Sequence, residues 1–266
     1  MAEGNYRNRW PLPGQGAGVL RLGERFRLDG LVAEAAFTRV WQATDELLCR
    51  PVRIHLLPPG RPVPGGVAAT VSAAARVTDP RLSRIFDADY RTDCPYIVSE
   101  WAPGTDLEDL MATGLPSPAL AAAIVADAAE ALARAHRAGV AHLRLGPRSL
   151  RWGGSGVKVS GLGIEAALSG ACATDPAAAD TAGLARMLYA LLTGCWPGPE
   201  ATRLPPAPLN RGRPCPPRRL RPGVPDALND ITCAALTSGG TPGWLAEGLL
   251  RSRPPARPRR QELLAA

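Results

Sequence analysis

Lysine is all but missing from this chain of 266 residues, where Lys158 stands alone among 31 basic side chains. Any cation the chain uses is therefore almost always arginine, which holds its charge at every cellular pH and does not serve as an amine nucleophile or base. Aromatic residues make up only 5%, so stacking platforms of the kind single-stranded nucleic acid needs are scarce. Three histidines (His55, His136, His142) and six cysteines (Cys49, Cys94, Cys172, Cys195, Cys215, Cys233) show no Cys-x-x-Cys pair and no metal-ligand spacing, so the thiols read as dispersed and reduced. No uninterrupted apolar run nears the about 18 to 20 residues of a membrane span. The opening Met-Ala-Glu-Gly-Asn-Tyr-Arg also lacks the apolar core of a signal peptide. These absences point to a cytoplasmic protein.

What is present is a globular composition, 45% apolar and 21% charged, with 28 glycines and 28 prolines. The abundance of Ala, Arg, Gly and Pro suggests a GC-rich bacterial genome. A formal charge of +7 invites anionic partners. The arginines are spread, however, with clusters only at 211–221 and 251–260, both rich in proline, and these read first as a solvated loop and tail. Without interleaved aromatics the pattern argues against nucleic acid and leaves a weak contact with an anionic membrane surface through the basic tail.

The chain divides by pattern. Residues 1–22 form a flexible leader without periodicity, and residues 252–266 a basic Pro/Arg-rich tail. Between them, runs at 26–32, 39–43, 52–57, 83–90 and 96–100 read as five strands, with one Ala-rich helix at 67–77. Beyond a bare linker at 101–104 the chain turns helical. Ser117 and Pro118 open a long Ala/Leu helix closed by Gly139. Residues 150–160, broken by glycines, read as a two-stranded ribbon, and residues 180–193 as an amphipathic helix. Residues 197–225 hold too much proline for a regular helix or a central strand. Two short helices follow at 226–236 and 242–250.

In this order, several segments carry a likeness. They are Arg39-Val-Trp-Gln-Ala-Thr-Asp45, Arg50-Pro-Val-Arg-Ile-His55, Ala73-Ala-Ala-Arg-Val-Thr-Asp-Pro80, Ile97-Val-Ser-Glu-Trp101, Val140-Ala-His-Leu-Arg-Leu-Gly-Pro-Arg-Ser-Leu150, Val159-Ser-Gly-Leu-Gly163 and Leu188-Tyr-Ala-Leu-Leu-Thr-Gly194. Over about residues 25–250 the chain resembles the bacterial eukaryotic-like Ser/Thr protein kinases. The resemblance implies an α+β, two-lobed fold for residues 23–251: a small five-stranded β lobe at about 23–101 with helix C, and a shortened helical lobe at about 105–251. Ala141-His-Leu-Arg-Leu145 and Gly161-Leu-Gly163 further resemble the degenerate actinobacterial branch associated with the lipid-II flippase system of peptidoglycan synthesis.

The same resemblance places this chain's residues at positions where the family does chemistry. Ala33, Ala35 and Thr38 align with the glycines that let a loop close over ATP phosphates. His55 aligns with the phosphate-binding lysine of the third strand and Thr70 with its helix C glutamate. Arg144 takes the place of the catalytic aspartate, Gly146 of the loop lysine, Ser149 of an asparagine metal ligand and Gly161 of the aspartate that holds Mg²⁺. An arginine cannot accept the substrate hydroxyl proton, and glycine cannot hold a hard cation. Arg39 or Arg53 would have to reach across from a neighbouring strand to replace the lost lysine, while Lys158 is expected to face solvent. Only sixteen residues separate Gly163 from Asp180, too few for the family's activation segment. His142 and Asp180 are expected to hold the catalytic-loop backbone, with Asp180 at the start of its helix and Leu162 packed under helix C.

The expectation is a catalytically inactive kinase-like domain that binds a protein partner, with no cofactor and no metal. The closer resemblance implies a cell-wall synthesis protein or one with a forkhead-associated domain, at the inner face of the membrane, and Thr174 (or Thr181 or Thr202) as phosphoacceptor. The alternative is an atypical Ser/Thr kinase or a nucleotide sensor, holding ATP without Mg²⁺ in an adenine cleft formed by Val32, Val40, Ile54, Glu100 and Ala102.

Overall fold

The alternating runs in the first third of the chain build one antiparallel sheet, in a computed structural model that describes residues 20–35, 38–60 and 62–252. Its strands are β1 (Arg21–Leu22), β2 (Phe26–Ala35), β3 (Thr38–Asp45), β4 (Arg50–Leu56), β5 (Ile85–Asp89) and β6 (Tyr96–Glu100), in the order β1-β2-β3-β4-β6-β5. Six strands stand where five were expected. The extra one lies within the segment read as leader, where Leu22 pairs with Phe26 and is buried. The rest of that leader to residue 19, and the tail from 253, lie outside the described residues.

Side-chain alternation along β4 decides which residues face the middle of the molecule. Val52, Ile54 and Leu56 point to one face and form a core with Phe26, Trp41 and Val98. The intervening Arg53 and His55 belong to the other face. On that face lies helix α1 (Val67–Ala75), whose Val67 and Val71 pack with Leu57 and Ile97 and with Ile164 and Leu168 from the second lobe.

The second lobe is built on helix α3 (Pro118–Arg137), started as its sequence suggests. The Ser117 side chain accepts from the Leu120 N–H, proline occupies the first turn, and Gly139 turns the chain with φ 76°. Such a cap stabilises by about 1 kcal/mol. Its Ala-rich face is buried against α5 (Pro176–Thr193) and α8 (Pro242–Arg251). Helix α5 begins earlier than expected, because Asp175 caps it through the Ala178 N–H. Asp180 is therefore in the second turn rather than at the start.

Smaller elements frame the gap between the lobes. Strand β7 (Thr105–Asp106) joins the expected ribbon of β8 (Leu150–Gly153) and β9 (Gly156–Val159) in a three-stranded sheet. Helix α2 (Leu107–Ala112) follows β7, and helix α4 (Ile164–Ser169) lies within the sixteen residues between Gly163 and Asp180, for which no element was expected. The proline-rich stretch after α5 holds only the two-residue strands β10 (Leu209–Asn210) and β11 (Arg213–Pro214) and the single turn α6 (Pro217–Leu220), before α7 (Asp226–Ser238). No helix among the described residues is long and apolar enough to cross a membrane.

The lobes are pinned at the segment between α1 and β5. Buried Asp79 accepts from Arg81 at 3.0 Å and lies 3.3 Å from Arg134 of α3, while Arg81 also bonds Glu130 at 2.6 Å. Burial alone would raise the Asp79 pKa, but the hydrogen bonds from Arg81 outweigh it and hold the carboxyl below its usual range. Backbone bonds from Ser83 to Val159 and from Val159 to Arg81 complete the junction.

Candidate functional site

The loop after α3 is shaped by one carboxylate. Asp180 of α5 accepts from the backbone N–H groups of His142 at 2.8 Å and Leu143 at 2.6 Å, and from His136 Nε2 at 2.8 Å. Burial pushes the Asp180 pKa upward; the bonds from His136 and the two N–H groups more than offset it, so the carboxyl stays ionised below the usual range. Leu143 is held in the left-handed region at φ 59°, which costs a branched residue about 1 kcal/mol or more. His142 Nε2 donates to the Ser160 carbonyl at 2.8 Å, linking this loop to the residue before Gly161.

Gly161 and Gly163 adopt φ 89° and 70°, and both are closely covered. A β-carbon on Gly163 would lie 2.8 Å from Ala74 Cβ of α1 and 3.6 Å from Thr70 Cγ2; one on Gly161 would lie 3.0 Å from Glu165 Oε1. Leu162 between them is buried in the core that includes Ala74. The segment thus passes tightly under α1 and turns into α4, whose Glu165 folds its carboxylate back over Gly161.

Between the lobes is a cleft of about 300 Å³. Val32, Ala33 and Val40 form its upper wall and Arg144, Gly146 and Ser149 its lower one, so these sequence-expected residues are brought together. Arg53 enters from β4. It is only 6% exposed, donates to Ser160 Oγ at 2.9 Å and stands 5.6 Å from the Trp101 ring. Its side chain thus runs from β4 toward Trp101, the first residue of the linker after β6. Of the two arginines that the sequence allowed to reach across, Arg39 instead pairs with Glu34 on the β2–β3 hairpin.

Other expected positions lie elsewhere. Ile54 faces the outer core of the sheet with Trp41 and Val98, away from the cleft, because β4 alternates. Glu100 is engaged by Lys158, which lies 2.7 Å away with its side chain only 15% exposed, so the expectation of a solvent-facing lysine is overturned. Ala102 is buried and does not line the cleft. Thr38 Oγ1 donates to the Leu56 carbonyl at 3.3 Å. Ala35 ends β2, but its side chain lies outside the described residues. Thr174 is exposed ahead of α5, whereas Thr181 is fully buried and bonded to the Ala177 and Gly240 carbonyls, which removes it as a phosphoacceptor.

His55 is sealed, with no exposure and no hydrogen-bond partner for either ring nitrogen. Burial first, and then the charge of Arg53, push its pKa down to about 3. It is neutral at physiological pH and gives the cleft no counter-charge for phosphate. Ser149 Oγ is equally committed, donating to the Arg144 carbonyl at 3.4 Å and accepting from the Gly146 N–H at 3.2 Å. With glycine at 161 and this hydroxyl turned inward, the residues present do not fit the divalent cation that the fold family uses. Among the described residues no cluster of His, Cys, Asp or Glu could hold a metal.

Sequence reasoning missed the outer wall. Buried Glu108 of α2 accepts from the backbone N–H and Nε of Arg203, each at 2.9 Å, while Glu200 bonds Arg186 at 3.0 Å and Trp196 Nε1 at 3.1 Å. These contacts bring residues 200–202 against the cleft mouth. Nothing local in the sequence signals a contact across about a hundred residues. Arg53 was legible, since the apolar alternation Val52, Ile54, Leu56 sends the residue between them to the opposite face.

No protein-family model matches the chain. A stretch of 133 residues is 27% identical to the probable serine/threonine-protein kinase pknA2 of Bifidobacterium longum, a match covering 47% of this chain and 18% of that relative's length. Among solved structures, the PknI kinase domain of Mycobacterium tuberculosis is similar with a TM-score of 0.64 at 19% identity, over 86% of this chain and 96% of that one. Rad53 1-466 in complex with AMP-PNP gives 0.64 at 18% identity, over 83% of this chain and 63% of that one. The chain has the two-lobed protein-kinase-like fold, and about half of it is similar in sequence to a probable bacterial serine/threonine protein kinase of which it spans less than a fifth.

Proposed function

We propose that this chain is a pseudokinase, a kinase-like scaffold that transfers no phosphate and acts by binding a protein partner. The observation that carries this reading is the set of residues standing at the aligned catalytic positions. Where phosphoryl transfer needs carboxylates to hold a metal and accept a proton, the positions that the resemblance aligns with them carry Gly161, an internally bonded Ser149 and the guanidinium of Arg144, while the glutamates that line the cleft, Glu108, Glu165 and Glu200, stand elsewhere in the sequence. The loop geometry held by Asp180 is kept, so the frame outlasts the chemistry.

The partner class follows from the closer sequence resemblance. A regulator of peptidoglycan synthesis in the cytoplasm, at the inner face of the membrane, would present Thr174 to a forkhead-associated domain, which reads phosphothreonine with arginines. The exposure of Thr174 supports this choice. The basic tail would add a weak contact with anionic lipid.

The test is incubation of the purified chain with labelled ATP and Mg²⁺ or Mn²⁺, with a generic protein substrate. No incorporation is expected, and metal-dependent transfer would overturn the reading. In parallel, a Thr174-phosphorylated peptide is expected to bind an isolated forkhead-associated domain while the unphosphorylated peptide does not; equal binding removes Thr174. The second reading, a metal-independent nucleotide sensor, is disfavoured because Arg53 already crosses the space between the roof strands and Trp101.

A further inference from the structure

Arg53 is an arginine in an expensive place. It is more than nine-tenths buried, no carboxylate lies within ion-pair distance among the described residues, and its Nε has no hydrogen-bond partner. A guanidinium withdrawn from water without a counter-ion destabilises the fold unless something else compensates it. Ser160 Oγ and the face of Trp101 satisfy part of it and leave the rest facing the cleft. Arg144 lines the same cleft, and its side chain has no acidic partner among the described residues. Arg148 also lines it, 3.5 Å from a Glu108 carboxylate already bonded twice by Arg203.

Three arginines and three glutamates line the cleft. Glu108 is shared between Arg203 and Arg148, and Glu200 bonds Arg186 and Trp196. Glu165 is folded against Gly161 and forms no ion pair with Arg53, although its charge, like that of Asp106, acts on that guanidinium. Arg53 and Arg144 are thus the cations of this cavity of about 300 Å³ that no acid pairs with among the described residues, and both are planar guanidinium suited to two-pronged recognition of oxyanions.

We propose that the interlobe cleft binds a phosphate monoester directly on Arg53, Arg144 and Arg148, without a metal ion. The site takes the phosphoryl group rather than a nucleotide base, since Arg53 itself fills the space beside Trp101. The monoester reaches it either as a small phosphorylated metabolite or on a phosphorylated side chain of a partner. The site rests on the guanidinium cluster and stands whether or not the partner class proposed above is right.

The experiment is calorimetric titration of the whole chain with inorganic phosphate in EDTA at constant ionic strength, followed by O-phosphothreonine and glucose 6-phosphate. Saturable binding is expected, weakened about tenfold or more in Arg144→Gln, the loss that follows removal of one charge-assisted contact. Arg53→Gln should abolish it. Because that buried substitution can impair folding, the decisive variant is Arg144→Gln/Arg148→Gln, at partly exposed positions. Absence of saturable binding to the native chain, or unchanged affinity in the double variant, overturns the proposal. Tighter binding of phosphothreonine than of the sugar phosphate identifies a protein-borne source, and the reverse a metabolite. Metal-dependent phosphotransfer in the separate ATP assay would sink the pseudokinase reading and leave these titrations unchanged.

Discussion

Acidification should weaken this protein well before its carboxylates titrate, because of His55. In the folded chain burial holds the imidazole pKa down to about 3, whereas the unfolded chain carries it at the ordinary value of 6.5. Between those values the unfolded state binds the extra proton, so stability is complete above the higher value and falls as pH drops toward the lower. Each pH unit crossed costs about 1.36 kcal/mol, so a fall from about pH 7.5 to about pH 5 removes about 2 kcal/mol. A loss of that size is a large fraction of a stability of about 5–15 kcal/mol. The assay is urea unfolding at the two pH values for the native chain and for His55→Leu; the difference cancels every other titrating group. The variant is expected to lose about 2 kcal/mol less than the native chain on acidification. Near pH 7.5 it should be at least as stable, since both imidazole nitrogens are buried without partners. Equal acid sensitivity in the two proteins, or an NMR titration of His55 with a midpoint near 6, would refute the reasoning and reopen the cleft to a charged histidine.

Two further perturbations test the frame around the cleft. Gly163→Ala meets both a positive φ of 70° and a contact of 2.8 Å with Ala74, whereas Gly170→Ala meets φ 66° and no atom within 4 Å. The latter should cost about 1 kcal/mol for backbone alone and the former at least about twice that, read from denaturant midpoints. Equal costs would mean that α1 does not rest on the Gly161–Gly163 segment. Asp180→Ala leaves two backbone N–H groups and His136 without their acceptor and should destabilise by about 3 kcal/mol or more. A loss under about 1 kcal/mol would show that the loop holds its shape without that carboxylate.

The lobed architecture was legible where periodicity is strong. Ser117 with Pro118 marked α3, and the β-branched alternation marked β3, β4 and β6. The start of α5 carried its own signal in Asp175 and Pro176, masked by the expectation that Asp180 opens the helix. β1 was missed because two residues show no period, and their place is decided by pairing with Phe26. α4 was missed because six residues make fewer than two turns. In the site, Arg144, Gly161 and His55 were visible as residue types, while the position of Arg53 needed only the rule of alternation. The partners of Lys158 and Glu108 were beyond reach, since each is an ion pair closed by tertiary packing between distant segments.

The pairing of Lys158 with Glu100 has a practical and a biological edge. Amine-directed reagents, whether cross-linkers used to map a partner or an enzyme that acetylates side chains, find one lysine in the whole chain. That lysine is mostly hidden and ties strand β9 to strand β6. Interaction mapping by lysine chemistry would return a nearly blank surface, whatever the true contacts. Acylation there would do more than tag the protein: it would cut a charged tie between the two lobes and leave Glu100 without its cation.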